Sequence, residues 1–194
     1  MEKIDKRVQK TDYFIQKAFF SLLNQKAFEQ ITIKNICETA LISKSTFYDH
    51  YPDKYSLLDS LVDKYSQKYK TEIHSRFKSV EENRTLQVIS KMTTEMSSES
   101  QNISALLKIT GQHSLINHLR EILYNESLNY FSNNNINNRF SKEFLSNMYT
   151  GIALESIMFI LDNSNNIEML KQHSDFVGVI QEGIIAKINS KNTN

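Results

Sequence analysis

The sequence predicts an all-α protein, and three observations carry that prediction. Its 194 residues include four Gly and a single Pro, too few turn-formers for a many-stranded sandwich or barrel. The one cysteine, Cys37, cannot form an intrachain disulfide, so a disulfide scaffold is excluded as well. Apolar residues recur at three- and four-residue steps along most of the chain. With 40% hydrophobic and 23% charged residues, the composition is that of a folded chain rather than a disordered one.

The chain opens on a polar arm, Glu2 to Lys10, before the first helical pattern: Phe14, Ile15, Ala18, Phe19, Leu22 and Leu23, with Thr11 or Asp12 as its cap. Ile33, Ile36, Cys37 and Ala40 then fall at i, i+3, i+4 and i+7, a two-turn second helix that Thr32 is placed to cap. Ser43 is the next capping residue, and the short third helix from Lys44 to Tyr51 is closed by Pro52. Asp53 is placed to cap a fourth helix whose stripe is Leu58, Leu61, Val62, Tyr65 and Tyr69. After the polar stretch Ser79 to Arg84, helices are expected over about 85–97, 103–109, 114–131, 141–161 and 167–188. The strongest loop signal is the asparagine-rich segment Ser132 to Asn138, because asparagine side chains compete for backbone hydrogen bonds. Ser141 is placed to cap the helix that follows it.

Ile31 to Leu58 is the informative segment. Two short helices joined by Ala40-Leu41-Ile42-Ser43 have the size of a helix-turn-helix, whose second helix fits a B-DNA major groove about 12 Å wide. Phe47 and Tyr51, four apart, face inward, which turns Lys44, Ser45, Tyr48 and Asp49 outward. The overall charge of +1 gives no nucleic-acid signal, so such a partner has to be met by a local patch. Residues 1–54 carry a net +2 and the remainder −1. Lys3, Lys6, Arg7 and Lys10 form a small basic cluster that reads either as a backbone-contacting arm or as a solubilising tail.

Phe28-Glu29-Gln30-Ile31-Thr32-Ile33-Lys34-Asn35-Ile36, Ala40, and Ile42 through Lys54 with Leu57-Leu58 resemble the tetracycline-repressor (TetR) family of bacterial transcription regulators. The resemblance implies an N-terminal three-helix helix-turn-helix DNA-binding module, residues 1–53. A fourth helix would join it to a C-terminal helical ligand-binding and dimerisation domain, residues 54–194, for about nine helices in all. It implies that Lys44, Ser45, Tyr48 and Asp49 face base edges, with Lys34 reaching over from the second helix. Thr32, Thr46, His50, Tyr51 and Lys54 would then lie near phosphates. Lysine can donate to guanine O6 or N7 and tyrosine can pack on a thymine methyl, whereas Asp49 would repel phosphates unless it accepts from a cytosine amino group. Two positions depart from the family pattern, which often has Gly where this chain has Leu41 and Ser45. Leucine should cost roughly 1 kcal/mol at Leu41 if the turn keeps a positive φ.

The same resemblance implies a homodimer through the last two long helices, about Ser141–Leu161 and Ile167–Ile188, bound to a pseudopalindromic double-stranded operator. Repression by blocking polymerase, relieved by a small-molecule effector, is the expected function; activation, nonspecific architectural binding and a protein-interaction module are the alternatives. Met92, Met96, Phe144, Met148 and Phe159 are candidate ligand-binding residues, since flexible thioethers and aromatics can line an apolar pocket as well as fill a core. No cofactor and no metal are expected. His113 and His118 are five apart, about 140° around a helix, and cannot clamp one ion. Cys37 on an apolar stripe reads as a buried thiol. With neither a Gly-rich phosphate loop nor a GxSxG elbow, an enzyme is not expected. The charged N-terminus and the lack of an unbroken apolar run of about 18 residues point to a cytoplasmic protein with no membrane partner.

Overall fold

The computed structural model describes residues 6–81, 85–111, 113–134 and 140–189, and the described residues are helical with no strand. The helices are α1 (Lys6–Leu23), α2 (Ile33–Ala40), α3 (Lys44–Tyr48), α4 (Lys54–Glu81), α5 (Thr85–Ser98), α6 (Ser100–Leu107), α7 (Leu115–Asn133), α8 (Lys142–Asp162) and α9 (Ile167–Asn189). A 3₁₀ turn, Phe28–Gln30, precedes α2. Residues 1–65 and 104–115 form one compact unit, and residues 66–103 and 116–194 form the other. The expected division after residue 53 assigned all of α4 to the second body; by packing, residues 54–65 go with the first unit and 66–81 with the second.

The first unit is built on α1, which packs against α2, while α2 packs against α3. Ile15, Phe19, Ile31, Ile36, Phe47, Leu57, Leu58 and Leu61 are buried to within about 1% of full occlusion at its centre. Burying side chains of this size contributes about 1.5–3 kcal/mol each, which orders helices as short as α2 and α3 that water alone would melt. Asp53 caps α4 as expected, its Oδ1 accepting from the Ser56 amide at 2.7 Å, and that bond holds its carboxyl below the usual range. His113 Nδ1 and the Asp59 carboxylate pair within this same unit.

Two expectations about α1 and α3 need correction. α1 begins at Lys6, so Lys6, Arg7 and Lys10 lie on its exposed first turns and are not a free arm, while Lys3 lies outside the described residues. Thr11 and Asp12 are interior positions of that helix and not its cap: Thr11 donates back to the Arg7 carbonyl, and Asp12 accepts from Tyr51 and Gln16. α3 stops at Tyr48 instead of running to Tyr51. Pro52 bars the α-helical region to the residue before it, so the chain leaves the helix through Asp49 and His50.

In the second unit α5 packs against α8 and α9, and α8 against α9. A buried hydrogen bond from Ser174 to Thr93 ties α9 to α5, and Ser97 donates to the Ser164 carbonyl at 2.6 Å. Ser141 caps α8 by accepting from the Phe144 amide. The expected asparagine-rich loop is partly helical, since α7 runs through Ser132 and Asn133; residues 135–138 lie outside the description, as do 82–84 of the expected polar boundary.

Although the sequence has no unbroken apolar run of about 18 residues, one described helix reaches the length and composition of a bilayer-spanning one. By length and mean hydropathy α8 qualifies. Its faces argue for a packed helix: Ser146 and Thr150 are buried with Ala153, Leu154 and Ile157, and Glu155 interrupts the apolar run.

Candidate nucleic-acid interface

The α2–turn–α3 segment is held by local hydrogen bonds at both helix ends. Thr32 Oγ1 accepts from the Asn35 amide and Asn35 Oδ1 accepts from the Thr32 amide, both at 3.2 Å, closing a reciprocal N-terminal box. Lys26 Nζ also donates to Asn35 Oδ1, at 2.8 Å. At the other end Ile42 donates to the Cys37 carbonyl and Leu41 to that of Glu38, the paired bonds of a Schellman turn. That turn needs a left-handed residue, and Leu41 supplies it at φ 56°, the one non-glycine residue with positive φ among those described. The family's frequent glycine at this position thus has its geometric reason, and this chain keeps the geometry with leucine.

Ser43 starts α3: its Oγ accepts from the Thr46 amide at 3.0 Å and pairs with the Thr46 hydroxyl at 2.9 Å. Phe47, fully buried, anchors the helix from beneath. Cys37 lies buried under the turn with its Sγ near the Ser43 carbonyl, and burial pushes its thiol up.

Anchoring α3 through Phe47 leaves Lys44, Ser45, Tyr48 and Asp49 on the solvent side, with Tyr48 53% exposed. Lys34 and Thr32 are exposed on α2, and Lys34 makes only a loose 3.8 Å pair with Glu38 that contributes little. Thr46 and His50 are half-buried.

Two residues expected near phosphates are occupied internally. Tyr51 is 8% exposed, and its hydroxyl donates to Asp12, whose other oxygen accepts from Gln16 at 2.7 Å. Burial, with the Asp12 hydrogen bond second, pushes the Tyr51 phenol up to about 12. The Lys54 ammonium donates to the carbonyls of Phe28, Glu29 and Ile31 at 2.9 to 3.2 Å, using all three of its protons, and lies 4.5 Å from the centre of the Phe28 ring. Burial lowers its pKa. Tyr51 and Lys54 therefore fix how α1, the 3₁₀ turn and the start of α4 present α3.

Among the described residues of the second unit, two cavities have mostly apolar linings. One, of about 40 Å³, is lined by Met92, Met96, Tyr69, Ile73, Arg76 and His173 among others. The other, of about 200 Å³, is lined by Arg76, Phe77, Phe131, Met148, Tyr149 and Ile152 among others. Of the ligand-binding candidates, Met92 and Met96 thus line the first and Met148 the second. Phe159 stacks on His173 at 4.9 Å, next to the first. Phe144 lines neither; it is half-exposed and stacks on Phe140. Sequence reading passed over Arg76, which lines both cavities, and weighed His173 only as a metal ligand. The available signal was Arg76 itself, a charge set beside Phe77 on the continuation of the apolar stripe through Tyr69 and Ile73.

A left-handed turn between two capped short helices, the second with exposed polar side chains and a buried aromatic anchor, defines the helix-turn-helix class of DNA-binding proteins. Residues 15–61 match the family described as "Bacterial regulatory proteins, tetR family". The chain is similar to that family over this segment. Over 62 residues, 31% of this chain, it is 40% identical to an uncharacterized HTH-type transcriptional regulator, YxbF, of Bacillus subtilis strain 168; the match spans 16% of that relative's length. Among solved structures, a TetR transcriptional regulator of Streptococcus agalactiae 2603V is similar at TM-score 0.59 and 21% identity, covering 89% of this chain and 96% of the other. The regulator FadR of Bacillus subtilis, solved in complex with stearoyl-CoA, is similar at TM-score 0.63 and 15% identity, covering 87% and 96%. At these identities the structural matches establish the common fold.

Proposed function

We propose that this protein is a homodimeric transcriptional repressor that reads a pseudopalindromic operator through α3 and leaves it when a small molecule occupies the second unit. The observation that carries the reading is that Lys44, Ser45 and Tyr48 stand exposed on a helix fixed by the Ser43 cap, the Leu41 turn and Phe47. Such a helix reaches base edges without ordering itself on contact, so less binding energy is lost to entropy. With Tyr51 and Lys54 engaged internally, the phosphate contacts fall to Thr32, Thr46, His50 and the α3 N-terminus, and Lys34, Lys44 and Asp49 remain with Ser45 and Tyr48 for the bases.

One recognition helix specifies only a few base pairs, and a second copy one DNA turn away supplies the rest. Phe144, Met148 and Met158 on α8 and Met169, Phe176 and Val179 on α9 are exposed large apolar residues, and a second copy of the same two helices is the surface that would cover them. The small-molecule control rests on the apolar cavities and on the complex of FadR with stearoyl-CoA. α4 is one continuous helix with residues in both units, so a ligand that shifts its 66–81 part also acts on its 54–65 part. By linkage, ligand and operator weaken each other by the same factor.

Fluorescence-anisotropy titration of the full chain with a palindrome from its own promoter region and with random duplex tests this. A specific repressor holds the palindrome at least about a thousandfold tighter, with steep salt dependence. Equal affinity for both would make it an architectural binder, and no binding at low salt would leave a protein-interaction module. Replacing Lys44 or Tyr48 by Ala should cost about 1–3 kcal/mol on the operator and less on random duplex.

A further inference from the structure

Resting on the operator-reading proposal above, we infer that Leu41 reads DNA as well: its side chain packs on the 5-methyl group of a thymine beside the bases met by Lys44 and Ser45. Leu41 is the most exposed large apolar residue among those described, at 92%, and it lies in the left-handed region at φ 56°. The fold accounts for neither feature. A leucine in that conformation is strained, and glycine builds the same turn without strain. Its side chain touches almost nothing of its own chain, so no burial offsets the strain. A side chain that the turn does not need and the core does not use is accounted for by a contact outside the chain.

Its position says where that contact falls. Leu41 is the third residue before Lys44, and the bonds from Leu41 and Ile42 to the Glu38 and Cys37 carbonyls fix the turn directly ahead of α3. The first residues of a recognition helix are the ones that meet base edges, so the turn ahead of them borders the major groove. Seven residues along from Lys34, Leu41 also returns to the same side of α2, and Lys34, Lys44 and Ser45 are all exposed. The chemistry of the target follows from size. Glu38, Thr39, Ser43 and Lys44, which flank Leu41, are exposed and polar, so a single apolar side chain stands here and not a patch wide enough to hold a protein. The major groove offers an apolar group of matching size, the thymine methyl, which the other bases lack. Because the turn is fixed before contact, little order is lost in making it.

The test is selection of bound duplexes from a random pool by the full chain and, in parallel, by Leu41→Gly, Leu41→Asn and Leu41→Met, with anisotropy titration of the operator so obtained. The parent pool should prefer thymine at one position of each half-site. Leu41→Met, still apolar and of like size, should keep that preference, whereas Leu41→Gly and Leu41→Asn, which accept the left-handed backbone without an apolar side chain, should lose it. Glycine is the less strained residue there, so its loss of selectivity is not a loss of fold. Replacing that thymine by deoxyuridine, which removes only the methyl, should weaken the parent about fourfold per half-site, the effect of burying one carbon, and leave Leu41→Gly unchanged. Equal losses on deoxyuridine for parent and glycine forms would overturn the assignment, as would a glycine form weakened on every sequence alike with the thymine preference intact. A parent pool that stays random removes the operator reading and this inference together; a parent operator that Leu41→Gly selects unchanged removes this inference alone.

Discussion

Leu41→Gly should stabilise this protein, which is unusual for replacing a leucine with glycine. Leu41 has φ 56° and ψ 44° and is 92% exposed, so its side chain contributes almost no burial to lose. A left-handed conformation costs an L-residue roughly 1–2 kcal/mol relative to its relaxed state. Glycine removes that strain but enters the unfolded state with extra freedom worth about 0.4–1 kcal/mol. The difference is a gain of about 0.5–1 kcal/mol, or roughly 1–4 °C in Tm for a chain of this size. Urea unfolding followed by circular dichroism at a helical wavelength should show a higher midpoint with the same slope. Leu41→Ala is the internal control: it keeps the Cβ and so should leave the midpoint nearly unchanged. A glycine variant no more stable than the parent would refute the reasoning, because the turn would then not be strained by leucine. If alanine matched glycine, exposed apolar surface and not backbone geometry would be the cause.

Ser43→Ala removes the acceptor for the Thr46 amide and should cost about 1 kcal/mol in urea unfolding while weakening operator binding, since it loosens α3 itself. Tyr51→Phe takes away the hydroxyl that donates to Asp12 and should destabilise by about 1–3 kcal/mol; an unchanged midpoint would mean that water replaces the bond at no loss. Burial, with Glu95 beside it, pushes the Glu72 carboxyl from 4.5 up to about 7. The folded chain therefore keeps a proton there that the unfolded chain has released, and the stability this contributes is full below about 4.5 and lost as pH rises through about 7. Glu72→Gln, which cannot ionise, should raise Tm relative to the parent at pH 8 and not at pH 4, as read by thermal melts at both.

Legibility of the sequence tracked the range of the interactions involved. Thr32, Ser43, Asp53 and Ser141 were readable as caps because a cap is a contact over three residues, and each makes that contact. Leu41 was readable because only one backbone geometry explains a glycine-preferring position inside a four-residue turn. The start of α1 was not: residues 6–14 bury almost nothing, so no apolar stripe marks them, and helix there continues a pattern that begins at Ile15. The resemblance put Tyr51 and Lys54 near phosphates, although Tyr51 was also read as facing inward; their internal partners lie 39 and 23 to 26 residues away, beyond any periodicity. His173 and Arg76 line one cavity from helices far apart in the chain, and Phe144 was expected in a pocket because an aromatic at a helical position looks the same whether it faces in or out.

The central claim is that α3 reads base edges in matched pairs, and selection of bound duplexes from a random pool by the full-length protein measures that directly. The account predicts enrichment of a pseudopalindrome whose half-sites are centred about one helical turn apart, or a multiple of that, with the preference at individual bases altered when Tyr48→Ala is used. A pool that stays random, or a selected site lacking two-fold symmetry and unchanged by that substitution, would contradict it.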